Sequence, residues 1–419
     1  MNIIETRRMS AALAFAGALA LAGPATAQET REVSGSEELD DRQGGDDAGE
    51  ESDEIPYVPG QPAPDIPREP VPEAQGKLSE DFDILGGSFD IGGYFWVDTG
   101  YLNRTNERDA DPDQETHYMN GRYVLSATYG GEVDEWFAMA RVQLMGLVNE
   151  FARSQYEPHA LDAFVRIGHE DWGDITVGRF LGWQAYYRGQ GIELFTAEEA
   201  GALNGQGIYL LDRTRGYRNE AGQAALHFYP FDFLSFEIAG VYGQENSQNQ
   251  LGIRPVVVFD LAGLVAIAGM EYQHQFNILE NDRTDTEQLG FSGQLRYSIG
   301  PITAGGNVST LRQDVINIRE QADTAESFDV YSFGGFVDAD FSKVSMGIGY
   351  HITYQDNDLG ELNEHNQMFA SFLYRLPFEG VSLKLVYGYA WAYIEDIVNQ
   401  SEAKNDLHSA RLRISYVFN

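Results

Sequence analysis

From residue 87 to the C-terminus, apolar and polar positions alternate in sixteen short runs. Over 343–355, Val344, Met346, Ile348, Tyr350, Ile352 and Tyr354 alternate with Ser345, Gly347, Gly349, His351, Thr353 and Gln355. From 381, Val381, Leu383, Leu385, Tyr387, Tyr389 and Trp391 alternate with smaller or polar residues, and the chain ends on Leu412, Ile414, Tyr416 and Phe418. A period of two is that of a strand with one apolar face. It predicts strands over about 87–102, 117–130, 135–149, 159–168, 173–181, 217–229 and 234–243, with nine more starting near 253, 264, 287, 302, 327, 343, 365, 381 and 407.

The connections alternate in length. Those at 130–134, 170–172, 230–233, 300–301, 340–343 and 377–380 are short. Those at 104–116, 244–252, 277–286, 312–326, 356–364 and 395–406 are long and polar. Aromatic residues on the apolar face gather near both strand ends: Tyr129, Trp136, Tyr297, Tyr416 and Phe418 at the turn side, Tyr242, Tyr272, Tyr354, Trp391 and Tyr393 at the loop side. Short turns on one side, long loops on the other and two aromatic girdles are the marks of a transmembrane β-barrel in an outer membrane. A soluble sandwich would carry a polar outer face. The fold class expected is all-β, a 16-stranded antiparallel transmembrane barrel.

The N-terminus agrees with export. Arg7 and Arg8 precede an apolar run from Ala11 to Ala22, and Ala25-Thr26-Ala27 is a small-x-small cleavage site, so residues 1–27 read as a secretory signal. Residues 28–81 carry an acidic stretch followed by Pro56, Pro59, Pro62, Pro64, Pro67, Pro70 and Pro72. Such a segment lacks the apolar surface to fold and is expected to be a disordered periplasmic extension. The barrel then occupies 82–419. There is no cysteine, which excludes disulfides and thiolate chemistry. With 65 acidic against 28 basic residues, a net charge of -37, nucleic-acid binding is excluded as well.

Three stretches resemble the trimeric general porins of bacteria. They are GGYFWVDTGY at 92–101 with its inward Asp98, AFVRIGHEDWGDITVGR at 163–179, and GYRNEAGQAALHFYP at 216–230, in the same order and with the longest connection in the same place. The opening strand departs from the family in carrying Trp96 where a basic residue is common, and Asn419 follows the terminal aromatic. The resemblance implies a homotrimer and a loop at 181–216 folded into the lumen. The acids of that loop, Glu193, Glu198 and Glu199, would face wall arginines Arg122, Arg141, Arg166 and Arg218. Tyr94, Trp96, Asp98 and Asp162 would line the pore. Opposed charges across a narrow gap would set a transverse field that filters small hydrophilic solutes from greasy or bulky ones. Each arginine could equally be a solvated lumen residue paired with a nearby acid, and Glu198 and Glu199 could sit on the first turn of a short helix.

Other chemistry has little support. Asp109-x-Asp111-x-Asp113 opens like a Ca²⁺ loop and is the candidate Ca²⁺ or Mg²⁺ site of the extracellular loops, but Gln114 and Asn120 stand where glycine and glutamate are needed. Histidines are scattered singly, which gives zinc no signature, and no G-x-S-x-G marks a hydrolase. The expectation is therefore a channel, not an enzyme, with no cofactor. Its partners would be outer-membrane lipid and lipopolysaccharide, two further copies of itself and small solutes. The acid excess, with inward Asp98, Asp162, Asp338 and Asp340, predicts a cation preference. A sugar-selective pore and an anchor or adhesin working through the extension are the alternatives.

Overall fold

The computed structural model describes residues 87–106, 114–147, 159–180, 182–183, 209, 211, 214, 222–245, 248–279, 282–319, 322–357, 362–396 and 401–418. The expected secretory signal (1–27) and extension (28–81) lie outside them. The strands are β1 (Ser88–Asn106), β2 (Gln114–Val133), β3 (Trp136–Leu147), β4 (His159–His169), β5 (Gly173–Arg179), β6 (Gly222–Phe231), β7 (Leu234–Glu245) and β8 (Gln248–Leu261). They continue as β9 (Leu264–Leu279), β10 (Asp282–Ile299), β11 (Ile302–Arg319), β12 (Ala322–Asp340), β13 (Val344–Asn357), β14 (Leu362–Arg375), β15 (Val381–Asp396) and β16 (Ser401–Phe418). Each pairs antiparallel with its sequence neighbour, and β1 pairs with β16 from Gly93↔Phe418 to Asn106↔Asn405, closing a barrel. Closure removes every free sheet edge, which a sheet within lipid requires.

The exterior is apolar and the interior polar. Ile91, Leu125, Ile175, Ile253, Phe291, Val308, Ile348, Leu385 and Ile414 are exposed on the outside. Asp98, Glu237, Arg254, Glu271, Gln273, Ser332 and His351 are each almost wholly buried on the inside. This inverts the burial rule of water-soluble proteins and is the expected order for strands that alternate between lipid and lumen. The girdles take shape with Trp136, Tyr297 and Tyr416 exposed at one end and Tyr242 and Tyr393 at the other. Tyr129 departs from this: it is outward by register but buried, opposite the equally buried Ala140.

Strand boundaries match the expectation at one end only. At the turn side, starts expected at 264, 302, 343 and 381 fall at Leu264, Ile302, Val344 and Val381. Tight turns fix these positions. Ala262 and Gly263 both take positive φ (53° and 83°), the conformation of a two-residue hairpin turn whose twist suits the flanking strands. At the other end, starts expected at 253, 287, 327, 365 and 407 fall earlier, at Gln248, Asp282, Ala322, Leu362 and Ser401. The long polar connections are thus largely strand: β7 reaches Glu245 and β8 resumes at Gln248. Beyond the lipid-facing band both faces of a hairpin meet water. The hydrogen-bonded ladder then continues without an apolar period to mark it. Both described ends, Gly87 and Phe418, lie at the turn side.

Candidate pore constriction

The connection between β5 and β6 runs back over the inner wall at every position described. On its outgoing leg, Gln223 donates to the Phe180 carbonyl. The Trp183 amide donates to both oxygens of Glu237 (2.9 and 3.0 Å), and the Trp183 ring lies 4.8 Å from the His227 ring. On the return leg the Tyr209 hydroxyl donates to Glu271, and the Thr214 amide and hydroxyl donate to the second Glu271 oxygen (3.1 and 3.0 Å). Ser309 donates to the Tyr209 carbonyl (2.8 Å), and Arg254 to that of Thr214 (3.2 Å). Leu211 is fully buried with Leu311 and Val330. Glycines provide the clearance: a Cβ at Gly252 would come 2.6 Å from Thr214, and one at Gly290 would overlap the Tyr209 hydroxyl.

Below these anchors runs a charged chain across β4 to β8. Arg166 bonds Asp174 (2.5 Å) and Tyr229 (2.8 Å), Tyr229 also bonds Asp174 (2.6 Å), and His227 bridges Asp174 (2.7 Å) and Glu237 (3.0 Å). Arg254 closes it, 3.4 Å from Glu237. Buried ion pairs of this kind hold geometry, because each charge is costly without its partner.

The facing wall is basic. Eight strands from β9, across the closed barrel, Asp98 on β1 receives both branches of Arg413 (2.7 and 2.9 Å), while Arg411 lies at 3.7 Å. The Arg413 guanidinium lies 4.0 Å over the Trp96 ring, and Lys384 is buried on neighbouring β15. Trp96 thus serves as the platform for a basic group on the adjacent strand. Arg141 bonds Ser126 (3.1 Å), and Gln143, with its amide oriented to satisfy both neighbours, bridges Arg141 (2.5 Å) and Asp162 (3.2 Å). Asp340 is held by Arg375 (3.0 and 3.1 Å). The inward carboxylates expected to attract cations therefore already face described donors at Asp98, Asp162 and Asp340.

Of the residues singled out from sequence, Arg141, Arg166, Tyr94, Trp96, Asp98 and Asp162 occupy inward positions, with Tyr94 packed on Val124 and Met145. Arg122 lies on β2 opposite Trp96 and Leu147, at an inward register position. Glu193, Glu198, Glu199, Arg218, Asp109, Asp111 and Asp113 lie outside the described residues. Sequence reasoning missed the anchors Asp174, His227, Glu237, Arg254 and Glu271, and the basic trio Lys384, Arg411 and Arg413. All eight stand at polar positions of alternating strands, where a census of inward charge would have found them.

No family profile and no curated protein sequence matches the chain. Solved structures do. OmpT, an outer membrane protein of Vibrio cholerae, aligns with a TM-score of 0.54 at 15% identity, over 82% of this chain and 100% of its own. The outer membrane channel DcaP of Acinetobacter baumannii gives 0.53 at 11%, over 79% and 97%. An anion-selective porin from Comamonas acidovorans gives 0.50 at 13%, over 79% and 100%. Identities this low speak to fold alone, and by strand number, closure and polarity the chain has the sixteen-stranded barrel fold of the general porins.

Proposed function

We propose that the protein is an outer-membrane diffusion channel for small hydrophilic solutes and ions, narrowed by the connection between β5 and β6. The observation that carries this reading is the attachment of that connection to the inner wall through Glu237 and Glu271. A sixteen-stranded barrel encloses an aqueous lumen, and chain laid against one wall leaves a passage along the opposite one. That passage would run past Arg141, Lys384, Arg411 and Arg413, with Glu193, Glu198 and Glu199 of the connection opposing them in a transverse field.

Ion preference follows from two opposed terms. The chain's acid excess favours cations, and the basic wall favours anions locally. We expect the acid excess to prevail. A reversal potential in a planar bilayer under a KCl gradient tests both claims. Discrete channels with cation preference support them; anion preference would show that the basic wall governs, and absence of channels would leave the anchor reading.

Assembly as a homotrimer, in contact with lipid and lipopolysaccharide, is the second part of the proposal. Small and aliphatic residues face outward on β2 to β4, at Ala127, Ala138, Val142 and Ala163, where close approach of another barrel is easiest. Val142→Arg should split the assembly and leave a folded barrel. Mild-detergent sizing checks it: a variant that keeps the wild-type oligomer places the interface elsewhere. Residues 28–81 would hang below the pore and be dispensable for folding and conductance.

A further inference from the structure

We propose that Glu135, His169 and Asp171 form a binding site for a divalent transition-metal ion, of the zinc class, at the turn-side rim of the barrel. Their ligand atoms all lie within 4.8 Å of one another, although Glu135 comes from the β2–β3 turn and the other two from the end of β4 and its turn. The His169 Nε2 is 3.0 Å from a Glu135 carboxylate oxygen. Two ligands bound at about 2.1 Å to one tetrahedral ion stand about 3.4 Å apart, so this pair needs to open by only a few tenths of an ångström to take one. Asp171 completes the set by rotation of an exposed side chain.

The site is held together. The Glu170 amide donates to the Glu135 carbonyl (3.0 Å), which ties the two turns together, and the Trp172 amide donates to the His169 carbonyl (3.3 Å) within the second turn. Trp136 and Trp172 meet the imidazole edge-on at 5.3 and 6.0 Å. The imidazole is largely covered, with its Nε2 directed at the carboxylate. Among the described residues no lysine or arginine pairs with Glu135 or Asp171, so their charges remain for a cation. One contact opposes binding: the Asp171 amide donates to His169 Nδ1 (3.2 Å). Metal on Nε2 requires the proton on Nδ1, so this exposed hydrogen bond must open. One imidazole with two carboxylates suits zinc better than calcium, which prefers oxygen ligands throughout. Water would take the remaining positions.

The sequence hides the site because its ligands are brought together by two neighbouring turns, and no local histidine motif announces it. The test is zinc titration of the untagged full chain, folded in detergent, by calorimetry. One site per chain is expected. His169→Ala and Asp171→Asn should each weaken it by at least about tenfold, while calcium in excess should not displace the zinc. Circular dichroism confirms the barrel in each variant; should His169→Ala fail to fold, Asp171→Asn, in an exposed turn, decides. Zinc held equally by wild type and a folded variant would overturn the proposal, as would absence of a distinct site. Displacement by calcium would overturn the metal class.

Discussion

Glu271→Ala should free the return leg of the inner connection and give the largest change in conductance of any single substitution here. The carboxylate accepts from the Tyr209 hydroxyl and from both the amide and hydroxyl of Thr214, all buried. Removing it strands three buried donors, a local cost on the order of 3–5 kcal/mol. What remains is the packing of Leu211 and the bonds from Ser309 and Arg254. A detached leg would make the channel noisier, widen it and admit larger neutral solutes. Single-channel recording with a polyethylene glycol size series reads this. A folded variant with unchanged conductance and size limit would mean that Glu271 does not hold the constriction.

Asp98→Ala should have the largest effect on stability. Asp98 is fully buried on the seam where the first and last strands close the barrel, and it takes a two-branched bond from Arg413 with Arg411 nearby. Loss of the carboxylate breaks the buried pairing with Arg413 and removes the negative charge beside Arg411, which costs roughly 3–5 kcal/mol. Asp98→Asn keeps shape and some hydrogen bonding, so its cost should fall between wild type and alanine. Urea unfolding in lipid vesicles measures all three. Equal stabilities would show the seam to be held by backbone pairing alone.

Much of the fold can be read from side-chain parity, because lipid on one face and water on the other impose it at every second residue. The runs Val344–Tyr354 and Val381–Trp391 needed no further information. Parity also put Arg141, Arg166 and Asp98 inside. It fails where the selective pressure behind it ends. Past the lipid band, Gln248, Asp282 and Ser401 still belong to strands although nothing apolar marks them. The anchors escaped for a different reason. Glu237 and Glu271 look like ordinary lumen acids until Trp183, Tyr209 and Thr214, distant in sequence, are laid against them. Asp98 was legible as inward but not as paired, since Arg413 joins it only when the barrel closes.

The central claim is that the connection between β5 and β6 lies inside the barrel. Disulfide trapping tests it most directly, in a protein that has no cysteine to interfere. Thr214 lies against Gly252, whose added Cβ would come 2.6 Å from the Thr214 methyl carbon, so side chains at the two positions would be in direct contact. In the double variant Thr214→Cys, Gly252→Cys the account predicts near-complete cross-linking on mild oxidation in the membrane. Two free thiols that react readily with a bulky, membrane-impermeant maleimide would place the connection outside the lumen and contradict it.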